Sequence, residues 1–190
     1  FKGGQSNPTY CVNHGQQSWV IRRKPPGNLV PSAHAIDREY RIISALGKTD
    51  LPVPKTYALC MDEKILGTPF YIMECVKGPI YWDARLPKKN MTTRAEVFDN
   101  MNESIAKLHQ VDFKKLDLGD FGRPGNYVER QLNRWGHQYL EANYYKISEM
   151  DLLIEWLEDR IPEQFQTSIV HGDYRLDNII YDENKHQVLA

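Results

Sequence analysis

No apolar run in the chain approaches the roughly 20 residues that a bilayer-spanning helix needs, so no such helix is expected. Cysteine is scarce: Cys11, Cys60 and Cys75 are too few and too widely spaced for a zinc site or a disulfide framework. Their odd number points to a reducing interior with buried thiols. An excess of either charge is also missing. Lys and Arg total 24 against 25 Asp and Glu, a formal net charge of -1, which argues against duplex DNA or an anionic membrane as partner. Internal repeats and low-complexity tracts are absent. So is an initiator Met: the chain opens at Phe1, which leaves no information on a targeting segment, and closes on Gln187-Val188-Leu189-Ala190, which reads as the middle of a strand. The sequence therefore reads as truncated at both ends. What is present is an ordinary globular composition, 41% hydrophobic and 26% charged over 190 residues. That length suits one domain or two small lobes.

Thr9-Tyr10-Cys11-Val12 and Ser18-Trp19-Val20-Ile21-Arg22 flank a turn containing Gly15 and predict a β-hairpin. Before it, Gly3-Gly4-Gln5-Ser6-Asn7 is a flexible polar loop of the kind that brings backbone N–H groups to a phosphate, or serves as a plain surface turn. Ser32 is placed to cap a helix running to Leu46 and stopped by Gly47, with Ile36, Tyr40 and Ile43 on its apolar face. Glu39 lies beside that stripe, either solvated or turned towards Arg22 or Arg23 of the hairpin. Strands follow at Thr56 to Cys60 and Pro69 to Glu74, separated by an Asp62-Glu63-Lys64 turn. Composition shifts at Val76-Lys77-Gly78-Pro79, the best candidate for a hinge.

Beyond it the chain turns helical. Thr93-Arg94-Ala95-Glu96 fits a capping box, followed at helical spacing by Phe98, Met101, Ile105 and Leu108. After a glycine-rich loop from Asp117 to Asn126, a helix from Tyr127 to Ala142 directs Val128, Leu132, Trp135 and Tyr139 inward. Another begins at Ser148 and ends before Pro162, with Leu152, Leu153, Trp156 and Leu157 inward. The expected fold class is α+β: a small antiparallel β lobe with one helix, residues 1–75, and a mainly helical lobe, residues 76–190.

Near the end, Ile169-Val170 and Ile179-Ile180-Tyr181 read as strand ends bracketing His171-Gly172-Asp173-Tyr174-Arg175-Leu176-Asp177-Asn178. Asp173 and Asn178 stand five residues apart on this short polar turn. A carboxylate and an amide oxygen gathered rigidly are what phosphoryl transfer asks for: one group orients and deprotonates an attacking hydroxyl, and the other holds a magnesium ion.

The small β lobe, the hinge and a helical lobe bearing His-Gly-Asp-x4-Asn resemble the aminoglycoside phosphotransferase-like, protein-kinase-like family. Gly-Gly-Gln-Ser-Asn-Pro-Thr-Tyr and Val-Ile-Arg-Arg-Lys-Pro-Pro-Gly sharpen the likeness, which is similar to the phosphotransferase domain associated with acyl-CoA dehydrogenases. The resemblance implies ATP and Mg²⁺ as cofactors. It places Gly3, Gly4 and Ser6 in the loop that covers the nucleotide, and Arg22 as the cation on its α/β-phosphates, where Lys is commoner. Glu39 becomes the carboxylate paired with that cation, and Glu74 and Val76 the backbone that meets adenine. Asp173 becomes the catalytic base and Asn178 a metal ligand. A further metal-binding Asp is implied just past Ala190, without which the chain as it stands is expected to bind nucleotide weakly and transfer phosphate poorly.

The function so implied is ATP-dependent transfer of the γ-phosphoryl group to the hydroxyl of a small molecule. Gln131 to Lys146 mixes Arg134, His137, Glu141 and Lys146 with Trp135, Tyr139, Tyr144 and Tyr145, aromatic and not acidic. That composition suits a hydroxyacyl-CoA or related alcohol better than a polycationic aminoglycoside. Two other classes compete: a catalytically silent, nucleotide-binding pseudokinase module, and a metallohydrolase built on His171, Asp173 and Asp177, for which no second ligand cluster exists. Expected partners are a small-molecule substrate and an acyl-CoA dehydrogenase, fused or acting alongside; neither nucleic acid nor a membrane span is expected. The expected location is intracellular: cytoplasmic, or mitochondrial or peroxisomal in a eukaryote.

Overall fold

The computed structural model describes residues 7–27, 35–142 and 145–190. Strands β1 (Thr9–His14), β2 (Gln17–Arg23), β3 (Thr56–Cys60) and β4 (Phe70–Glu74) form one antiparallel sheet in the order β1-β2-β4-β3. The β1–β2 hairpin forms as its alternating residues and Gly15 turn predict, pairing Thr9 with Arg22 and Cys11 with Val20. β4 then adds beside β2, with Arg22 opposite Tyr71 and Trp19 opposite Glu74.

Helix α1 (Ile36–Leu46) begins after Ala35, which supplies no side-chain cap; the expected cap, Ser32, lies outside the described residues. It lies on the sheet through an edge-on Tyr40–Tyr71 ring contact at 6.0 Å and a 2.7 Å hydrogen bond between the Ser44 and Thr56 hydroxyls. The expected Asp62-Glu63-Lys64 turn is one turn of helix, α2 (Glu63–Leu66). Asp62 caps it by accepting from the Lys64 N–H at 2.9 Å. Such side-chain caps are what Asp offers at a helix start.

Helix α3 (Met91–Gln110) starts ahead of the expected capping box. The Asn90 side-chain oxygen accepts from the Thr93 N–H at 2.8 Å and so takes the capping role given to Thr93. Of the expected stripe, Leu108 is buried and Met101 and Ile105 are half-buried, whereas Phe98 is exposed and its neighbour Val97 is fully buried in its place. The cysteines correct a second expectation. Cys11 is exposed, and Cys60 and Cys75 are half-buried. Cys11 and Cys60 sit on β1 and β3, the two edge strands, where one flank has no neighbouring strand to cover it.

Two compact units emerge from the packing, residues 1–119 with 169–190, and residues 120–168. The second unit holds α4 (Tyr127–Ala142) and α5 (Ser148–Glu158), bounded as the sequence predicts. Gln164 caps α4 by accepting from the Tyr127 and Val128 N–H groups at 3.0 and 3.4 Å. Gly136 is buried, facing Ile154 of α5. The aromatic stripes do not become core, however. Trp135, Leu152, Leu153, Trp156 and Leu157 are all exposed, Trp135 at 58% and Leu152 at 63%. Periodicity marks an apolar face, but burial needs a second layer upon it, and among the described residues no such layer covers these side chains. The rings are partly screened instead by arginines, Arg134 over Trp135 at 5.4 Å and Arg160 over Trp156 at 4.5 Å.

Candidate active site

The first unit carries two groups of polar side chains. One lies on the loop that precedes Tyr181, and its backbone is held from below by apolar anchors. Leu176, Ile179 and Tyr181 belong to a buried cluster with Leu86 and Val97, and Met101, Tyr174 and Val188 pack against it. The Tyr174 hydroxyl donates to the Met101 carbonyl of α3 at 2.8 Å, fastening the middle of the loop. Ile169 and Val170, expected as a strand end, lie outside any strand. Leu176–Asn178 form a single 3-10 turn, and the expected exit strand is one bridge between Tyr181 and Val188.

Gly172, at φ +85°, takes a backbone shape that side-chain-bearing residues rarely adopt, and it reverses the chain between His171 and Asp173. The exposed side of the turn gathers the polar groups. Asn178 Nδ2 donates to Asp173 Oδ2 at 2.8 Å and to the Asp173 carbonyl at 2.9 Å. Arg175 bridges two carboxylates, Nε to Asp173 Oδ1 at 3.0 Å and Nη2 to Asp177 Oδ2 at 3.2 Å. Both oxygens of Asp173 are thus held, which fixes the plane of the carboxylate, while Asn178 keeps its Oδ1 free of hydrogen bonds among the described residues. Arg175 was not singled out by sequence; its spacing two residues from each carboxylate is the signal that could have found it.

His171 is a supporting residue. Its Nδ1 accepts from the Asp173 N–H at 3.3 Å, and its ring lies edge-on to Tyr174 at 5.4 Å. Partial burial lowers its pKa, with the Asp173 charge opposing. A His pKa lowered on folding stabilises the neutral ring, so its contribution is complete above the unfolded value of roughly 6.5 and is lost as pH falls through the folded value. Thermal unfolding midpoints followed from pH 8 to pH 5 should therefore fall less in His171→Gln than in the parent. Parallel curves would remove His171 from the turn's stability.

The second group sits on the sheet. Arg22 of β2 pairs with Glu39 of α1, Nε to Oε2 at 2.7 Å, both side chains about 30% exposed. Residue pattern alone left Arg22 and Arg23 unranked, and the family resemblance pointed to Arg22; the structure places Arg22 on the carboxylate, and the buried Arg23 Nε has no hydrogen-bond partner among the described residues. Asn7, Thr9 and Tyr71 join the pair. Asn7 Nδ2 donates to Glu39 Oε1 at 2.6 Å, Arg22 Nη1 to the Thr9 hydroxyl at 3.1 Å, and the Tyr71 hydroxyl to Glu39 Oε2 at 3.3 Å. Burial, then the Glu39 carboxylate, push the Tyr71 phenol well above its usual range, so it remains a donor at any physiological pH. Gly3, Gly4 and Ser6 lie outside the described residues.

At the end of β4 the Glu74 N–H is committed to the Lys55 carbonyl at 2.8 Å, and its carboxylate accepts from the Lys55 N–H at 3.1 Å. Val76 lies just beyond the strand, where its backbone groups have no backbone partner among the described residues. Such an unpaired edge offers hydrogen bonds to a planar heterocycle. The segment that follows is tied to the loop's exit: the Tyr181 N–H donates to the Pro79 carbonyl at 3.0 Å.

The first unit thus holds a half-buried Arg–Glu pair on its sheet and a polar turn that presents a held carboxylate and an amide oxygen. The phosphotransferase enzyme family model matches residues 1–190, and the chain belongs to that family. A solved structure from Ralstonia eutropha JMP134, provisionally described as an aminoglycoside phosphotransferase, superposes with a TM-score of 0.90 at 47% identity, over all of this chain and 56% of that one. The structure of an aminoglycoside-3'-phosphotransferase of type VIII shares the fold, with a TM-score of 0.62 at 17% identity over 99% of this chain and 66% of that one. The α+β, protein-kinase-like fold is therefore established. Among curated proteins, mouse acyl-CoA dehydrogenase family member 10 is 45% identical over 190 residues, covering all of this chain and 18% of that protein. Mouse acyl-CoA dehydrogenase family member 11 is 39% identical over 191 residues, covering 24% of its length. The chain thus spans about a fifth to a quarter of these relatives, and among the described residues no helix is long and apolar enough to cross a membrane.

Proposed function

We propose that this chain is the phosphotransferase part of an ATP-dependent small-molecule kinase, acting on a hydroxyl of an acyl-CoA or a related alcohol. The observation that carries the reading is the Asp173–Asn178 pairing on a turn anchored in the core. Residues 1–75 are assigned to nucleotide binding and residues 76–190 to catalysis and the acceptor. Gly3, Gly4 and Ser6 cover the nucleotide, Arg22 contacts its phosphates, and Glu39 orients Arg22. The backbone at Glu74 and Val76 receives adenine, with Val76 supplying the unpaired groups.

Magnesium fits the donors present as a shared site and not as a protein cage. Among the described residues no cluster of three or more His, Cys, Asp or Glu is arranged around a metal. Asn178 Oδ1 is an uncommitted hard oxygen, and Mg²⁺ commonly completes its shell with substrate phosphates, water and one or two carboxylates. When bound, the ion neutralises charge developing on the phosphates. The chain's own contribution is positional. Asp173 accepts a hydrogen bond from the acceptor hydroxyl and takes its proton as the new O–P bond forms and the bond from the γ-phosphorus to the bridging oxygen breaks, with ADP leaving. Arg175 and Asn178 hold the carboxylate still meanwhile. Positioning and charge neutralisation, more than covalent chemistry, supply the rate in such reactions.

The acyl-CoA class is supported by the names of the relatives and by the arginine-backed exposed aromatics of α4 and α5, which suit an acceptor with apolar and anionic parts. An aminoglycoside acceptor is the second reading, favoured by the 47% identical Ralstonia structure. The three free thiols support an intracellular location, cytoplasmic or, in a eukaryote, mitochondrial or peroxisomal. Incubation of the full-length protein with ATP, Mg²⁺ and panels of hydroxyacyl-CoAs and aminoglycosides should give ADP and phosphorylated acceptor in equal amounts, from the hydroxyacyl-CoA panel. Stabilisation by nucleotide without phosphorylated product in either panel would instead mark a silent binding module.

A further inference from the structure

Four polar residues, Thr9 and Arg22 on the sheet with Asn7 just before it and Glu39 on α1, close into a ring. Asn7 Nδ2 donates to Glu39 Oε1 at 2.6 Å, and Arg22 Nε donates to Glu39 Oε2 at 2.7 Å. Arg22 Nη1 donates to Thr9 Oγ1 at 3.1 Å, and the Thr9 hydroxyl donates on to the Asn7 carbonyl at 3.0 Å. Asn7 is only 5% exposed, and Thr9, Arg22 and Glu39 are half-buried, so these bonds are shielded from competing water. Each group is used to its chemical capacity in this direction. Both carboxylate oxygens of Glu39 are engaged, and the single proton of the Thr9 hydroxyl goes to Asn7 while a lone pair receives Arg22.

The ring has two consequences for Arg22. Its guanidinium is gripped at Nε from α1 and at Nη1 from β1, two different elements, which fixes both the position and the plane of the group. Nη2 remains as the donor without a hydrogen-bond partner among the described residues. A planar cation held in this way delivers its outward N–H without the rotamer loss that a flexible Lys would incur. The ring also includes Asn7, the residue that follows Gly3–Ser6 directly in the chain. Asn7 is therefore bonded to the same carboxylate that holds the Arg22 guanidinium.

We infer that Asn7 and Thr9 are positioning residues for nucleotide binding, which act by clamping Arg22, Thr9 directly and Asn7 through Glu39. The inference rests on the reading of Arg22 as the phosphate cation, and assigns to the Arg–Glu pair two partners that sequence did not mark. The bonds of the ring lead from both residues to Arg22 and Glu39, so the clamp is expected to act on nucleotide affinity and to leave acceptor recognition alone.

The test uses the full-length protein with Thr9→Val, Asn7→Ala and Arg22→Ala, titrated calorimetrically with the non-hydrolysable ATP analogue AMP-PNP in Mg²⁺, alongside KM for ATP and for the acceptor. Thr9→Val keeps the β-branched shape of the strand residue and removes only the hydroxyl, so it remains informative where Asn7→Ala fails to fold. Hydrogen bonds to charged groups of this kind predict about tenfold weaker AMP-PNP binding for each clamp variant, with acceptor KM unchanged. Combining Thr9→Val with Arg22→Ala should weaken binding no further than Arg22→Ala alone, because the clamp then has nothing to hold. If Arg22→Ala weakens binding but Thr9→Val and Asn7→Ala do not, or if acceptor KM rises equally, the positioning role is overturned while the phosphate role of Arg22 stands. If Arg22→Ala itself binds AMP-PNP as the parent does, the reading of Arg22 falls, and the clamp with it.

Discussion

Asp173→Asn should reduce kcat for phosphoryl transfer by about 10²- to 10⁴-fold, the range in which a positioned general base contributes, while AMP-PNP affinity stays near the parent's. The substitution is nearly isosteric, so the turn itself should survive. The Asp173 carbonyl still accepts from Asn178 Nδ2, and Tyr174 still fastens the loop to Met101. What changes is the pair of carboxylate bonds, Arg175 on Oδ1 and Asn178 on Oδ2. An amide presents one oxygen and one NH₂, so one of those two donors must face another donor, and no group remains to take the hydroxyl proton. Measured side by side, a large loss in kcat with retained nucleotide binding separates the base from a merely structural carboxylate. Loss of both together would place Asp173 in the turn's architecture instead.

Gly78→Ala should lower folding stability by about 3 kcal/mol, the upper end of the cost of overpacking a close contact. A Cβ at this position would point at the Tyr181 carbonyl far inside any real contact distance, and would lie 2.9 Å from Ile180 Cγ2. Backbone cannot swing aside as a long side chain can. The Tyr181 N–H to Pro79 bond and the Tyr181–Val188 bridge hold the obstructing carbonyl from either side. Urea unfolding measures the loss, and Gly119→Ala serves as control, because among the described residues nothing lies within 4 Å of its Cβ position. The chain leaving the turn at Tyr181 also anchors the polar loop, so Gly78→Ala should lower kcat as well, although it touches no reacting group. Unchanged stability would mean that the 76–79 segment slides freely past Tyr181.

That glycine shows where sequence reading stops. Gly78 and Pro79 signal a break in regular structure, and the break is real, but a pattern along one segment carries no information on which distant backbone lies against it. The local features were legible for the converse reason. The hairpin at Thr9 to Arg23, the strand at Thr56 to Cys60 and helices α4 and α5 follow from alternation, turn glycines and 3.6-residue spacing, all short-range signals. The Asp173–Asn178 spacing was legible too, because the five-residue interval lets the amide fold back on the carboxylate within one turn. The position of β4 between β2 and β3 was not, because it depends on pairing between distant strands; which of Arg22 and Arg23 meets Glu39 depends on the face of the sheet that α1 covers, and only the family resemblance pointed to Arg22. Asn90 displaced Thr93 as the cap of α3 because two good capping residues compete within one turn, and propensity does not rank them. Trp135 and Trp156 read as core because an apolar stripe looks the same whether or not a second layer covers it. The cysteines misled in a similar way, since Cys11 sits on an edge strand that sequence could not identify as an edge.

The proposed role of the His171–Asn178 turn is tested most directly by labelled transfer. With ATP carrying γ-³²P, Mg²⁺ and a hydroxyacyl-CoA, the full-length protein should yield labelled acceptor, and Asp173→Asn, shown by AMP-PNP titration to bind nucleotide, should yield about 10²-fold less or below. Equal labelling of the acceptor by the parent and by Asp173→Asn would contradict it.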